Sequence, residues 1–365
     1  MKSRERFVTA LRCGIPDRVP VYDFIGGRGL QQQLLGYTTE LYEAETQAKM
    51  AGLLGFDAFH VFLGGFCGVE EKSHAPGSKY QDEWGVTYVK HGWPIMTQTA
   101  SPIQSRADWQ NYKMPNLHAS HRTRMIRDAV RCNDNDLAMV VIMLGPLTMM
   151  YWYLMDTATL STMLYDDPEL VHEMCRAYVA WAVEAIRLAV AAGPIDAFYL
   201  ADDWGGGSGL LMSPKHLREF FLKPYGEIVA EMRRLGVPVI MHNDGKIWDV
   251  LDDLIATGVN GYHPIEKAAG MDLATVKQRY GDRICPVGNI NNKTTMVSGS
   301  ADDVRREALE CLRIAAPRGG YIMSTDHSLH DDIPLDNIFA YVEVAHRYGV
   351  YPLSLPIWES TSNID

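Results

Sequence analysis

The chain predicts an α/β fold: a (β/α)8 TIM barrel with an inserted β-hairpin or lid segment after strand two. Three observations predict it. Eight short apolar runs recur, at residues 19–24, 56–62, 138–144, 197–201, 237–241, 259–262, 283–287 and 320–323. Helical patterns fill most of the intervals between them. Polar groups stand where runs end: Asp202-Asp203, His242-Asn243-Asp244 and Asp326-His327. In such a barrel all eight strand ends converge on one face, where chemistry is built.

Taken in order, residues 3–13 place Phe7, Val8 and Leu11 on one face of a helix that Gly14-Ile15-Pro16-Asp17 stops. Strand one follows at once, so this helix is expected to plug the barrel's bottom. Residues 39–53 form the next helix, ending at Gly55 and feeding strand two. About 75 residues then precede strand three, too many for an ordinary connection. Within them, residues 81–89 read as a hairpin arm, and the insertion spans about residues 66–137 of a single domain, 1–365. Leaving from a strand's C-terminal end, it is placed to cover the site. After strand four, Ser213 caps a helix with Pro214 at its first position, and that helix runs to Gly236. Leu217, Phe220, Phe221 and Tyr225 recur on it at helical spacing, as core residues do. Residues 237–241 are continuously apolar, as befits a parallel strand covered on both faces.

At 365 residues the chain suits a barrel of about 250 residues with insertions. A hydrophobic fraction of 47% fills a large core. The net charge of −11, with no basic block, argues against nucleic acid and anionic membranes as partners. Six scattered cysteines without a CxxC spacing suit reduced thiols in the cytoplasm. The N-terminus lacks the apolar stretch of a signal peptide. No apolar run approaches the roughly 20 residues of a membrane span. Disorder is expected only in the tail, 359–365.

His242 and Asp244 lie two apart just past strand five, so both point to one side, with roughly 6–7 Å between their Cα atoms. An imidazole and a carboxylate at that separation can bind one ion, and His327 can complete a three-ligand set with an open position. Alternatively they hold the loop and bind substrate without metal. Asp202 and Asp203 can act as acid, base or ligand, or one can cap the turn before Gly205-Gly206-Gly207. His263 and Glu266 flank Pro264 after strand six and can face substrate. Arg28, in a glycine-rich loop after strand one, either holds an anionic group or is solvated. Tyr151 and Trp204 stand where they can wall a pocket for an aromatic or methylated substrate. His60, within strand two, reads as an ordinary hydrogen-bonded core histidine.

Several motifs together resemble the uroporphyrinogen decarboxylase superfamily. They are Arg4-Glu5-Arg6-Phe7 with Ile15-Pro16-Asp17-Arg18-Val19-Pro20-Val21, Leu211-Met212-Ser213-Pro214 with Phe220-Phe221, Gly281-Asp282-Arg283 with Gly288-Asn289-Ile290, and Gly319-Gly320-Tyr321-Ile322 with Pro334-Leu335-Asp336-Asn337. The resemblance spans almost the whole chain and implies a TIM barrel. Its decarboxylase branch uses an aspartate soon after strand two and paired arginines after strand one. Here Leu63-Gly64-Gly65-Phe66-Cys67 lacks the aspartate, and Arg28 stands alone and out of register. The methyltransferase branch binds zinc through His-x-Cys after strand five and a cysteine after strand eight. This chain has His242-x-Asp244 and His327 at those places.

The resemblance therefore implies a methyltransferase passing a methyl group from a small O- or N-methylated compound to a corrinoid protein. His242, Asp244 and His327 would hold a divalent metal (zinc, iron or manganese) with a net charge of +1. Asp202, Asp203, His242 and His327 would be catalytic, and Arg28, Tyr151, Trp204, His263 and Glu266 would bind substrate. The corrinoid would come with a partner protein, and a homodimer is allowed. The alternative is a lyase or decarboxylase of a small organic acid on the same barrel, with Arg28 holding the carboxylate.

Overall fold

The structure, a computed structural model, describes residues 1–40, 42–66, 77–91, 96–133 and 136–356. Cys67 and the tail from 359 to 365 lie outside the described residues. Six parallel strands run side by side in sequence order: Ala58–Phe62, Ala138–Leu144, Ala197–Ala201, Val239–His242, Gly261–His263 and Cys285–Pro286. Every residue of the first two is buried, because helices cover the outer face and side chains fill the inside. Strands one and eight complete the ring through bridge pairs, Val21 with Met323, Ile25 with Leu329, Val287 with Ile322 and Ile290 with Thr325. Strand one meets strand two through the Asp57 amide, which donates to the Val21 carbonyl at 2.8 Å. The barrel is thus closed, with eight strands in the expected order.

Two buried carboxylates hold its thin seams. Asp57, fully buried, accepts from Arg6 Nη1 at 2.7 Å, from both terminal nitrogens of Arg18 at 2.8 and 3.0 Å, and from the Val21 amide at 2.9 Å. It ties the opening helix, Ser3–Leu11, to strands one and two. Asp23 accepts from the Thr325 amide and hydroxyl, each at 2.9 Å, and from the Tyr341 hydroxyl at 3.1 Å. It joins strand one to strand eight and to the last helix, Leu335–Tyr348. The opening helix packs Phe7 edge-on against Tyr22, ring centroids 5.7 Å apart, at one end of the barrel interior.

Several local expectations change. A helix, Arg28–Leu35, occupies what reads as a glycine-rich loop, and the next helix begins at Ala44 rather than residue 39. Ser213 does accept from the His216 amide at 3.2 Å, but the helix it starts winds through a π segment, Leu217–Leu222, before continuing as Lys223–Arg234. In the insertion, Lys79–Gln81, Thr87–Lys90 and Met96–Ala100 form a three-stranded antiparallel sheet. Its anchor is Trp84, fully buried, which donates to the Gly65 carbonyl and packs against Trp181 at 4.9 Å. Glu83 receives both terminal nitrogens of buried Arg122 at 2.8 Å.

Removing the Asp57 carboxylate leaves Arg6 and Arg18 without their common partner at a seam. Asp57→Ala is expected to cost about 3–5 kcal/mol, read as a lower urea midpoint, whereas Asp17→Ala, half-exposed at the same Arg6, is expected to cost far less.

Candidate metal centre and active-site cavity

The ladder between strands four, five and six places the site. Ala201 pairs with His242, and His242 with His263. The pairing continues one step past the strands: the Asp202 amide donates to the His242 carbonyl and the Asn243 amide to the His263 carbonyl, both at 3.0 Å. Alternation then divides the side chains. Asp202 and Asn243 turn into the protein, while Asp203, His242 and Asp244 share one rim.

The inward pair forms a bracket. Asn243 Nδ2 donates to the Asp202 carbonyl at 2.6 Å, and Asn243 Oδ1 accepts from the Trp204 amide at 3.0 Å. Asp202 accepts from the Thr148 amide at 2.7 Å and from Trp204 Nε1 at 2.8 Å. Burial pushes its carboxyl up to about 7 against these donors. Gly145 makes room for it, since a Cβ there would lie 2.3 Å from Asp202 Cγ.

On the rim, one donor atom from each of Asp203, His242 and Asp244 falls within 4.8 Å of the others. His242 Nε2 is 3.7 Å from Asp203 Oδ1 and 3.6 Å from Asp244 Oδ1. Those separations exceed a hydrogen bond but are close to the ~3.4 Å edge of a tetrahedron of ligands about 2.1 Å from an ion. Asp244 Oδ1 is buried and has no hydrogen-bond partner among the described residues. A buried carboxylate oxygen facing a ring nitrogen across such a gap fits a cation bridging them. The donor set, oxygen and imidazole nitrogen without sulfur, suits zinc, iron or manganese.

The electrostatics differ between the two carboxylates. Burial raises the Asp203 carboxyl, with His242 opposing and Asp244 adding to the rise. Burial acts likewise on Asp244, but His242, His327 and His263 more than reverse it and hold that carboxyl well below its ordinary range. His327 Nε2 stands 3.6 Å from Asp244 Oδ2, and contact with that carboxylate raises the imidazole despite partial burial. Behind the rim, His242 Nδ1 lies 2.9 Å from His263 Nδ1, which is also 2.9 Å from the Tyr199 hydroxyl. Burial, then His242, pushes His263 far down, so it is neutral. It orients the His242 ring from the side away from the carboxylates, as outer partners of metal-ligating histidines do.

Beside the cluster lies a cavity of ≈ 150 Å³. Phe24, Phe62, Ile142, Leu144 and Tyr199 give it an apolar wall, and His242, His263 and His327 close the polar side.

The residues expected at the site are distributed as follows. Asp203, His242, Asp244 and His327 meet at the rim; the group that could hold an ion contains Asp203 with His242 and Asp244, and His327 stands beside it at Asp244. Asp202 and Trp204 are fully buried in the bracket, and Trp204 packs edge-on to Tyr225. Trp204 is therefore no pocket wall: strand alternation turns it inward. Glu266 accepts from the Gly245 amide at 2.9 Å and so fixes the loop behind Asp244. The Tyr151 phenol is raised by burial and further by the charges of Asp203, Asp202 and Asp244. Arg28 begins a helix and faces Glu40 at 3.4 Å. His60 is fully buried, and neither nitrogen has a hydrogen-bond partner among the described residues, so it is not the satisfied core histidine expected. Described residues of the insertion add nothing to the cavity wall. Tyr199 and Phe24 were not singled out from the sequence. A polar tyrosine on the same side of its strand as Asp203, two residues before the strand end, was the available signal for the first.

A closed parallel barrel with acid–imidazole groups on the strand ends defines a TIM-barrel enzyme architecture. The chain belongs to the uroporphyrinogen decarboxylase (URO-D) family, whose model matches residues 84–348. It is 27% identical over 264 residues to the uroporphyrinogen decarboxylase of Alkalilimnicola ehrlichii, covering 67% of each chain. It is 26% identical over 267 residues to that of Thioalkalivibrio sulfidiphilus, covering 68% of this chain and 71% of the relative. In structure it is similar to a methyltransferase from Methanosarcina mazei, with a TM-score of 0.73 over 95% of this chain and 98% of that one at 20% identity, a likeness of fold. No helix among the described residues is long and apolar enough to cross a membrane.

Dialysis against zinc, manganese or ferrous ion, followed by elemental analysis, is expected to leave about one ion per chain. Loading should be lost in His242→Ala and Asp244→Ala and fall as pH drops, because the Asp203 carboxyl must be ionised to bind. Asp202→Asn is expected to lower the melting temperature instead.

Proposed function

We propose that the protein is a methyltransferase that moves a methyl group from a small O- or N-methylated substrate to a corrinoid carried by a partner protein. The observation that supports this most is the orphaned Asp244 oxygen, in a hard donor set at the mouth of an apolar cavity. An engineered cavity of about this volume holds a single benzene ring, so the wall suits one ring or a short alkyl group.

A divalent ion held by Asp203, His242 and Asp244 would supply a Lewis acid for the ether oxygen or amine nitrogen. The remaining work belongs to the side chains. Phe24, Phe62, Ile142 and Leu144 hold the hydrocarbon part and exclude water. The bond between the heteroatom and the methyl carbon breaks with its electron pair left on oxygen or nitrogen. The methyl group leaves without electrons, and the reduced corrinoid supplies the pair for the new bond. His327, kept protonated by Asp244, hands its proton to the departing oxygen or nitrogen.

The relatives' name raises a second reading, decarboxylation. Against a tetrapyrrole stands the cavity volume, since pockets for drug-sized ligands run about 300–1,000 Å³. Against a small acid stand the carboxylates on the rim and the pairing of Arg28 with Glu40 at 3.4 Å.

Mixing the protein with reduced corrinoid protein and a panel of methoxylated and N-methylated compounds should convert the corrinoid spectrum to the methylated form. His327→Gln should slow this about 100-fold with little change in KM. Release of carbon dioxide from a small acid, with no spectral change for any methyl donor, would instead favour the lyase.

A further inference from the structure

His242 Nδ1 and His263 Nδ1 lie 2.9 Å apart, so between two neutral rings a single proton joins them. It can sit on either nitrogen. On His242 Nδ1, it leaves a lone pair on His242 Nε2, which stands 3.7 Å from Asp203 and 3.6 Å from Asp244. On His263 Nδ1, it makes His242 Nδ1 the acceptor, and the His242 ring then carries its proton on Nε2. Only the first arrangement lets His242 bind a cation through Nε2. The two carboxylates by themselves favour the second, because they attract an N–H that faces them.

Tyr199 stands where it decides between the two. It lies on the strand Ala197–Ala201, two residues before the Ala201 that pairs with His242. Its ring stacks on the His242 ring, with centroids 5.1 Å apart and planes at 24°. Its hydroxyl reaches past that ring to His263 Nδ1 at 2.9 Å. Burial raises the phenol well above its ordinary range, so the oxygen keeps its proton. Among the described residues that proton has a single acceptor, the lone pair of His263 Nδ1. Were His263 Nδ1 protonated instead, the hydroxyl could only accept, and a buried donor would be left unmet. With Nδ1 unprotonated, the Tyr199 O–H and the His242 N–H converge on it and both are satisfied. The proton of His263 is then confined to Nε2.

We propose that Tyr199 is a positioning residue: by donating to His263 Nδ1 it holds His242 as the Nδ1–H tautomer and presents the Nε2 lone pair to the rim shared with Asp203 and Asp244. The use of that lone pair rests on the reading of the rim as a cation site. The proton arrangement itself belongs to the ion-free protein.

The test is nitrogen NMR of the full chain, ring-labelled at histidine with 15N, free of metal and at about pH 8, where an ordinary imidazole is neutral. Protonated and lone-pair ring nitrogens differ widely in shift, and His242→Gln identifies the His242 signals. Wild type is expected to show His242 protonated at Nδ1 and bare at Nε2. Tyr199→Phe keeps the ring and loses only the hydroxyl. It should move His242 largely to the Nε2–H form and weaken zinc, measured by competition with a chromophoric chelator, about tenfold. A phenylalanine variant that melts lower but leaves the His242 shifts unchanged would make the hydroxyl merely structural and overturn the proposal. Wild-type His242 protonated at Nε2 would overturn it too, and that reading stands even where the variant does not fold. A wild type with the Nδ1–H tautomer that takes up no zinc would sink the metal centre and leave the role of Tyr199 standing.

Discussion

One continuous hydrogen-bonded ladder, from strand four through five to six, decides everything at the active face. Because it extends past the strands at Asp202 and Asn243, side chains still alternate there as they do within a sheet. A slip of one residue would exchange the two sets. Asp202 and Asn243 would face the cavity, and Asp203, His242 and Asp244 would be sealed behind it. The bracket of Asp202, Asn243, Trp204 and Thr148 is what forbids that slip, since each of its buried polar atoms has its partner only in the observed register.

The electrostatic character of the centre follows from which groups this alternation delivers. A divalent ion held by Asp203, His242 and Asp244 would be formally neutral, whereas one held by His242, Asp244 and His327 would carry +1. The thiolate set of the methyltransferase branch is also formally neutral, but soft. On the proposed ligand set the two would match in charge and differ in hardness, and hardness would direct the ion toward oxygen and nitrogen rather than sulfur. His327, half-exposed and raised by its contact with Asp244, is the group to which the proposal gives the proton transfer.

Much of this was legible in the residues. Apolar runs at the right spacing marked all eight strands, and Ser213-Pro214 marked a helix start that the structure retains. Polar residues at strand ends named the rim, because in a barrel that position converges by topology alone. What was not legible depends on direction and depth. Adjacent Asp202, Asp203 and Trp204 read alike in sequence, and only the ladder shows which of them turns inward. The helix at Arg28 has glycine at its cap, and Leu30, Leu34 and Leu35 give it only a short apolar stripe behind the Gly26-Gly27-Arg28-Gly29 stretch that reads as a loop. Asp23 and Asp57 appear as ordinary strand-edge acids until the seams they bind are seen. His60 looks like any core histidine, because a missing partner leaves no mark in a linear sequence.

The central claim, an ion held by oxygen and imidazole donors on one strand-end rim, is tested most directly by X-ray absorption on protein loaded with a single equivalent of zinc. The account predicts a first shell of nitrogen and oxygen at about 2.0–2.1 Å with imidazole scattering behind it. A sulfur shell at about 2.3 Å, or zinc that scatters as the free aqueous ion, would contradict it.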